Sequence, residues 1–168
     1  MSEYHLRRAD LAIQEREELM QILRNGAHMT LALSKDDEPY LVTVNYSLDE
    51  ARNFVYFHCA SQGKKVEMLR SNPRVWGQVL EDHGYVQGEC NHSYATVQFS
   101  GKAEFVSDLG EKRRALELMI DRLEKASAES VKKDSLTKDK LENVLICRIR
   151  IEGMSGKHNI VRPADASS

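Results

Sequence analysis

The chain has 168 residues, 41% of them apolar and 30% charged, with a formal net charge of −2. That length and composition support one domain with a real core. The charge gives no support to bulk nucleic-acid binding, and no apolar run approaches the ~20 residues that span a bilayer.

In chain order, Met1 to Ala9 is expected as an irregular arm with Arg7 and Arg8 exposed. Asp10 is placed to cap a helix through Arg24, with Leu19, Ile22 and Leu23 as its apolar stripe and Asn25-Gly26 as its stop. Ala27 to Leu33 and Tyr40 to Tyr46 have strand character, joined by a turn ending at Pro39. Ser47 to Asn53 turns again before a third strand, Phe54 to His58. A helix from Gly63 must stop at Asn72-Pro73, because proline disfavours helix in the residue before it.

Val75 to Leu80 is the fourth strand, and the polar stretch Glu81 to Ser93 a loop or irregular hairpin. Tyr94 to Val106 is a long strand with Gly101 at a bulge or close approach. Asp108 and Glu111 form a capping pair ahead of a helix whose apolar face is Ala115, Leu116, Met119, Ile120 and Leu123. Lys125 to Lys140 is charged and serine-rich, expected as a flexible connection with at most a short helix. Asn143 to Ile151 alternates as the last strand. Six short strands in mostly hairpin order predict a mainly β domain with peripheral helices, an antiparallel barrel over residues 1–168. No GxGxxG follows any strand, which argues against a Rossmann fold.

The stretch Phe54 to Leu69 is the most informative. A buried strand runs through a loop into a helix that opens Gly63-Lys64-Lys65. Free N–H groups of the first turn, the helix dipole and two ammonium groups converge there, which makes a phosphate site. The bland alternative is a solvated lysine pair.

With these residues in view, the chain resembles the flavin split-barrel family typified by pyridoxamine phosphate oxidase, and within it the nitroimidazole-resistance, or nitroimidazole reductase-like, branch. The resemblance rests on Glu38-Pro39-Tyr40 to Tyr46, Val55 to Lys65, Asn72-Pro73-Arg74-Val75, Ser100 to Val106 and Ile151 to Lys157, in family order. It implies a homodimer of six-stranded antiparallel split β-barrels with one FMN in each of two clefts between subunits. The FMN phosphate would lie at Ala60, Ser61, Gly63, Lys64 and Lys65, beside Cys59. The isoalloxazine would lie along Val42, Thr43, Val44 and Asn45 and by His58, with Thr96 and Tyr94 nearby. NADH or NADPH is the implied electron donor and a small flat molecule the acceptor. Two departures stand out: Thr43 replaces the proline usual in that branch, and the arginine-bearing C-terminal motif of the true oxidase is missing.

His58 is the catalytic candidate, since histidine can move a proton near neutral pH. The rival readings are a haem-binding split barrel with His58 or His158 on the iron, a non-catalytic flavin-binding stress-response module, and a deazaflavin reductase. Cys90, His92 and His83 lack the fourth ligand and CxxC spacing of a metal site, so no metal is expected. Cys59 is expected as a small hydrophobe, Trp76 and Tyr85 as core or cleft wall, and Lys132-Lys133 as solvated linker. Three widely spaced cysteines make no disulfide framework. With a charged N-terminus lacking a signal-peptide core, they set the expectation of a cytoplasmic protein without nucleic-acid or membrane partners.

Overall fold

A computed structural model describes residues 7–160. The first six residues of the expected arm lie outside that range; Arg7 and Arg8 are exposed. Seven antiparallel strands form one sheet: β1 (Met29–Lys35), β2 (Glu38–Val44), β3 (Ser47–Asp49), β4 (Phe54–Cys59), β5 (Arg74–Val86), β6 (Asn91–Val106) and β7 (Leu145–Asn159). Their order is β2-β1-β5-β6-β7-β4-β3. The helices are α1 (Arg16–Asn25), α2 (Lys64–Ser71), α3 (Leu109–Leu123), α4 (Ala128–Ser135) and α5 (Lys138–Asn143). None is long and apolar enough to cross a membrane.

The sheet curls round one core. Leu31 and Leu33 of β1, Val55 and Phe57 of β4, Val97 and Phe99 of β6 and Ile149 of β7 all point inward. Val42 and Val44 of one edge strand and Leu48 of the other pack against that same cluster. The two edges are not paired to each other, so the barrel is split between them. Helix α1 contributes Leu19, Ile22 and Leu23 to the core, and α2 contributes Met68 and Leu69.

Period two assigns the opposite face. Phe54 and Tyr56 alternate with the inward Val55 and Phe57, and pack with Val106 and Ile146 against Ala115 of α3. Burial and its bond to Glu111 push the Tyr56 phenol up to about 12. Gly101 sits at the register shift between β6 and β7, where a Cβ would collide with the Arg150 carbonyl.

The structure corrects several expectations. Among the described residues there are seven strands, not six: Ser47–Asp49, expected as turn, pairs with β4 through Ser47 opposite Tyr56 and Asp49 opposite Phe54. Glu81 to Ser93 is mostly strand, because β5 and β6 pair out to Val86 opposite Asn91 across a bulge between Asp82 and Tyr85. Asp10 does not cap α1; its carboxylate holds Arg8, and α1 begins at Arg16. The 125–140 stretch is a 3-10 turn followed by α4 and the first half of α5, and Lys132 pairs with Asp121 at 2.6 Å and Glu129 at 3.1 Å rather than lying free. Asp108 does cap α3, accepting from the Glu111 N–H at 2.7 Å.

Candidate functional site

Strand β4 delivers its end residues to a loop, Ala60 to Gly63, that is exposed throughout. Gly63 adopts φ +122, open to glycine and strained for any side chain. The N–H groups of Val66 and Glu67 donate to the Gly63 carbonyl at 2.9 and 3.1 Å. Those of Lys64 and Lys65 meet no backbone acceptor among the described residues, as the first turn of a helix dictates. The Lys64 ammonium donates to Glu38 Oε1 at 2.5 Å and lies 5.0 Å from the Tyr40 ring centre. That bond holds the Glu38 carboxyl below the usual range. The Lys65 ammonium lies 5.5 Å from the Phe57 ring centre. Glu38 opens β2, so the Lys64 pair ties the loop to the strand that carries Val42 to Val44 and leads into Asn45.

Those four residues divide between two faces. Val42 and Val44 turn toward the core. Thr43 and Asn45 are exposed, and the Thr43 hydroxyl lies 3.1 Å from that of Thr30. Register extends this outer face across the sheet: Thr30 stands opposite Gln78, Gln78 opposite Gln98, and Gln98 opposite Ser155. Leu41, Trp76 and Leu80 lie on it 68%, 44% and 53% exposed, so Trp76 is not core. Tyr85, also expected in core or cleft wall, is exposed near the hairpin tip. Thr96 belongs to this outer set but is buried. Its hydroxyl donates to the Val79 carbonyl at 2.9 Å and accepts from Gln78 Nε2 at 3.3 Å. Tyr94 is half-buried, with the Lys157 ammonium 5.7 Å from its ring centre.

Thr96 also lines a cleft of about 310 Å³ with Arg7, Arg8, Gln98, Ser155 and Lys157. Sequence reading gave the two arginines to solvent and missed Gln98 and Ser155. The signal for Gln98 was its period-two spacing from Thr96; nothing local pointed to Ser155, which arrives from another strand.

His58 lies on the opposite side of β4 from the core, in the same outward set as Phe54 and Tyr56. Its Nδ1 is 3.1 Å from Met119 Sδ on α3, and it lines a cavity of about 500 Å³ under that helix. Cys59 is half-buried against the core, and burial pushes its thiol up, consistent with packing rather than thiolate chemistry. His92 bonds Asp82 at 2.6 Å, while His83 lies 3.8 Å from Glu81. Among the described residues no three acidic, histidine or cysteine side chains gather for a metal.

A sheet split at its edges, plugged by helices and carrying a lysine-bearing loop after a buried strand defines the class. The chain belongs to the pyridoxamine 5'-phosphate oxidase family, whose model matches residues 15–158. Among solved structures it is similar to a putative 5-nitroimidazole antibiotic resistance protein of Bacteroides thetaiotaomicron, at 23% identity and TM-score 0.72 over 88% of this chain and 86% of that one. It is similar to the FAD and heme binding protein of Mycobacterium smegmatis at 19% identity and TM-score 0.75, over 92% and 76% of the two chains. A FAD-binding protein of Mesorhizobium loti aligns at 26% identity and TM-score 0.63, over 86% and 95%. A curated, uncharacterized protein of Rhizobium meliloti is 32% identical over 69 residues; the match spans 41% of this chain and 44% of that relative.

Proposed function

We propose that this protein is a flavin-dependent oxidoreductase of the nitroimidazole reductase-like type, which holds FMN at a homodimer interface and serves a small flat acceptor. The observation that carries the reading is the Gly63 loop. It offers two backbone N–H groups that meet no backbone acceptor among the described residues and two ammonium groups at one helix start. That donor set suits a phosphate monoester. Lys64 and Lys65 would hold the phosphate, and Thr43 and Asn45 would offer polar groups to the ring. Membership of the family and likeness to FAD-binding proteins support the choice of a flavin. Bound there, the isoalloxazine would supply two-electron chemistry between a nicotinamide donor and the acceptor.

The chain's own part is binding, orientation and proton supply. Lys64 is already engaged by Glu38, so the phosphate would compete with that carboxylate for one ammonium and take the second from Lys65. His58 keeps one ring nitrogen without a partner among the described residues, as a proton donor requires.

The test of the cofactor is the spectrum of freshly purified protein, then titration of the Lys64→Ala/Lys65→Ala double variant. Charge-assisted contacts worth about 1.5–3 kcal/mol each predict at least a tenfold loss for FMN and little for riboflavin. Equal losses for both would remove the phosphate assignment. A Soret band in place of a flavin spectrum would transfer the site to haem. His58 and His158 would then be the candidate ligands through Nε2, since each is engaged through Nδ1, by Met119 and by Glu18. For His58→Ala, stopped-flow reoxidation of flavin-loaded protein by a nitroaromatic is expected to slow by about tenfold or more with FMN retained. Matching rates from about pH 6 to 8 would make His58 a wall rather than a donor.

A further inference from the structure

Of the residues assigned to the cofactor, only His58 lines the cavity beneath α3. Its floor is apolar, Leu116, Met119, Ile120 and Leu123 from α3 and Val144 just before β7, with the His58 ring on its wall. Its volume, about 500 Å³, lies in the ~300–1,000 Å³ range of small-molecule sites. The polar groups sit at the rim, and their partners sort them. Glu124 Oε2 accepts from the Ser127 hydroxyl at 2.8 Å. Asn143 Nδ2 donates to the Asp139 carbonyl at 2.7 Å, which leaves its side-chain oxygen. Lys140 is exposed and enters no ion pair among the described residues.

The rim is built rather than loose. Buried Lys112 donates to the carbonyls of Leu141 and Val144 at 3.0 and 2.8 Å, which pins the helix carrying Lys140. Arg113 donates to the Leu136 carbonyl at 2.8 Å, which fixes the end of α4. Both ends of the described chain lie far along β7 from this site. Arg7 shares a cleft with Gly156 and Lys157, whereas His58 pairs with Ile146.

We propose that this cavity binds an amphipathic carboxylic acid, its apolar body on the α3 floor and its carboxylate on the Lys140 ammonium. The Lys140 ammonium selects the acid: it enters no ion pair among the described residues, whereas the Glu124 carboxylate at the same rim already accepts a hydrogen bond from Ser127. An aliphatic body suits a floor of aliphatic and thioether side chains.

The test uses the full chain as purified, with whatever cofactor it carries. Decanoate, decanol and decyltrimethylammonium are titrated by calorimetry, and methyl-labelled methionine NMR reports the place. Decanoate is expected to bind saturably, shift the Met119 methyl and leave those of Met20 and Met29 in place. Lys140→Gln should weaken decanoate about fivefold or more without changing decanol. Leu123→Glu, at an exposed position, should weaken both. Decyltrimethylammonium binding as tightly as decanoate would overturn the proposal, as would an unmoved Met119 methyl or an equal loss for decanoate and decanol in Lys140→Gln. Binding seen only above the micelle concentration would overturn it too. None of these readouts depends on flavin turnover, so the proposal and the redox reading fail separately.

Discussion

At the scale of single residues, buried charge reveals how this fold is held. Asp49 is nearly inaccessible, yet ionised: Arg114 bonds it in bidentate fashion at 2.5 and 3.0 Å, and Arg52 lies 3.8 Å away. Arg114 holds the Asp49 carboxyl below the usual range, and burial opposes it only in part. The folded value lies below the unfolded one, near 3.9. The pair's contribution is therefore present above about pH 4 and lost as pH falls through the folded value. Asp49→Asn should cost about 1–3 kcal/mol in urea unfolding at pH 7, and the gap to the parent should shrink below pH 4. A gap unchanged between pH 7 and 3 would mean that shape, not charge, supplies the effect.

At the scale of elements, α4 and α5 depend on bonds that their own sequence does not contain. The small cluster of Ile120, Ala128, Leu136 and Leu141 buries one side of each. Lys112 from α3 reaches the last carbonyls of α5, where a cation also suits the helix dipole. A buried ammonium with only carbonyl acceptors is costly to disturb. Lys112→Met should lower stability by about 1–3 kcal/mol, because the carbonyls lose their donor without gaining water. Amide exchange in residues 138–143 should accelerate more than in β6. Uniform acceleration across the chain would show that α5 does not open by itself.

At the scale of the whole molecule, one sheet face is covered and another is not. Helix α3 roofs the face around Phe54 and Tyr56, while Leu41, Trp76 and Leu80 remain open on β2 and β5. A row of large apolar side chains on an uncovered sheet is what a second subunit would bury. If the proposed homodimer forms on this face, Trp76→Glu is expected to give a monomer in sedimentation and to weaken the proposed flavin binding. A variant that stays dimeric and flavin-loaded would move the interface elsewhere. The reading of a cofactor between subunits would then need a different face.

Local physics made much of this protein legible before folding was considered. Val and aromatic alternation marked β4, the Asp108 cap marked α3, and Asn72-Pro73 marked the end of α2. The Gly63-Lys64-Lys65 opening was legible because a helix start and its charges lie within a few residues. The rest was set by pairings distant in sequence. Ser47–Asp49 is a strand only because β4 lies beside it, and a three-residue strand has no period of its own. The charged stretch after α3 becomes helical because Lys112 and Leu141 meet there. Register alone puts Thr43, Gln98 and Ser155 on one face and gives His58 to the cavity under α3. The sequence by itself determined which segments could be strand, helix or phosphate loop, since those preferences act over neighbouring residues. Only the tertiary structure decided which faces met, because a shift of one residue in any strand would exchange them.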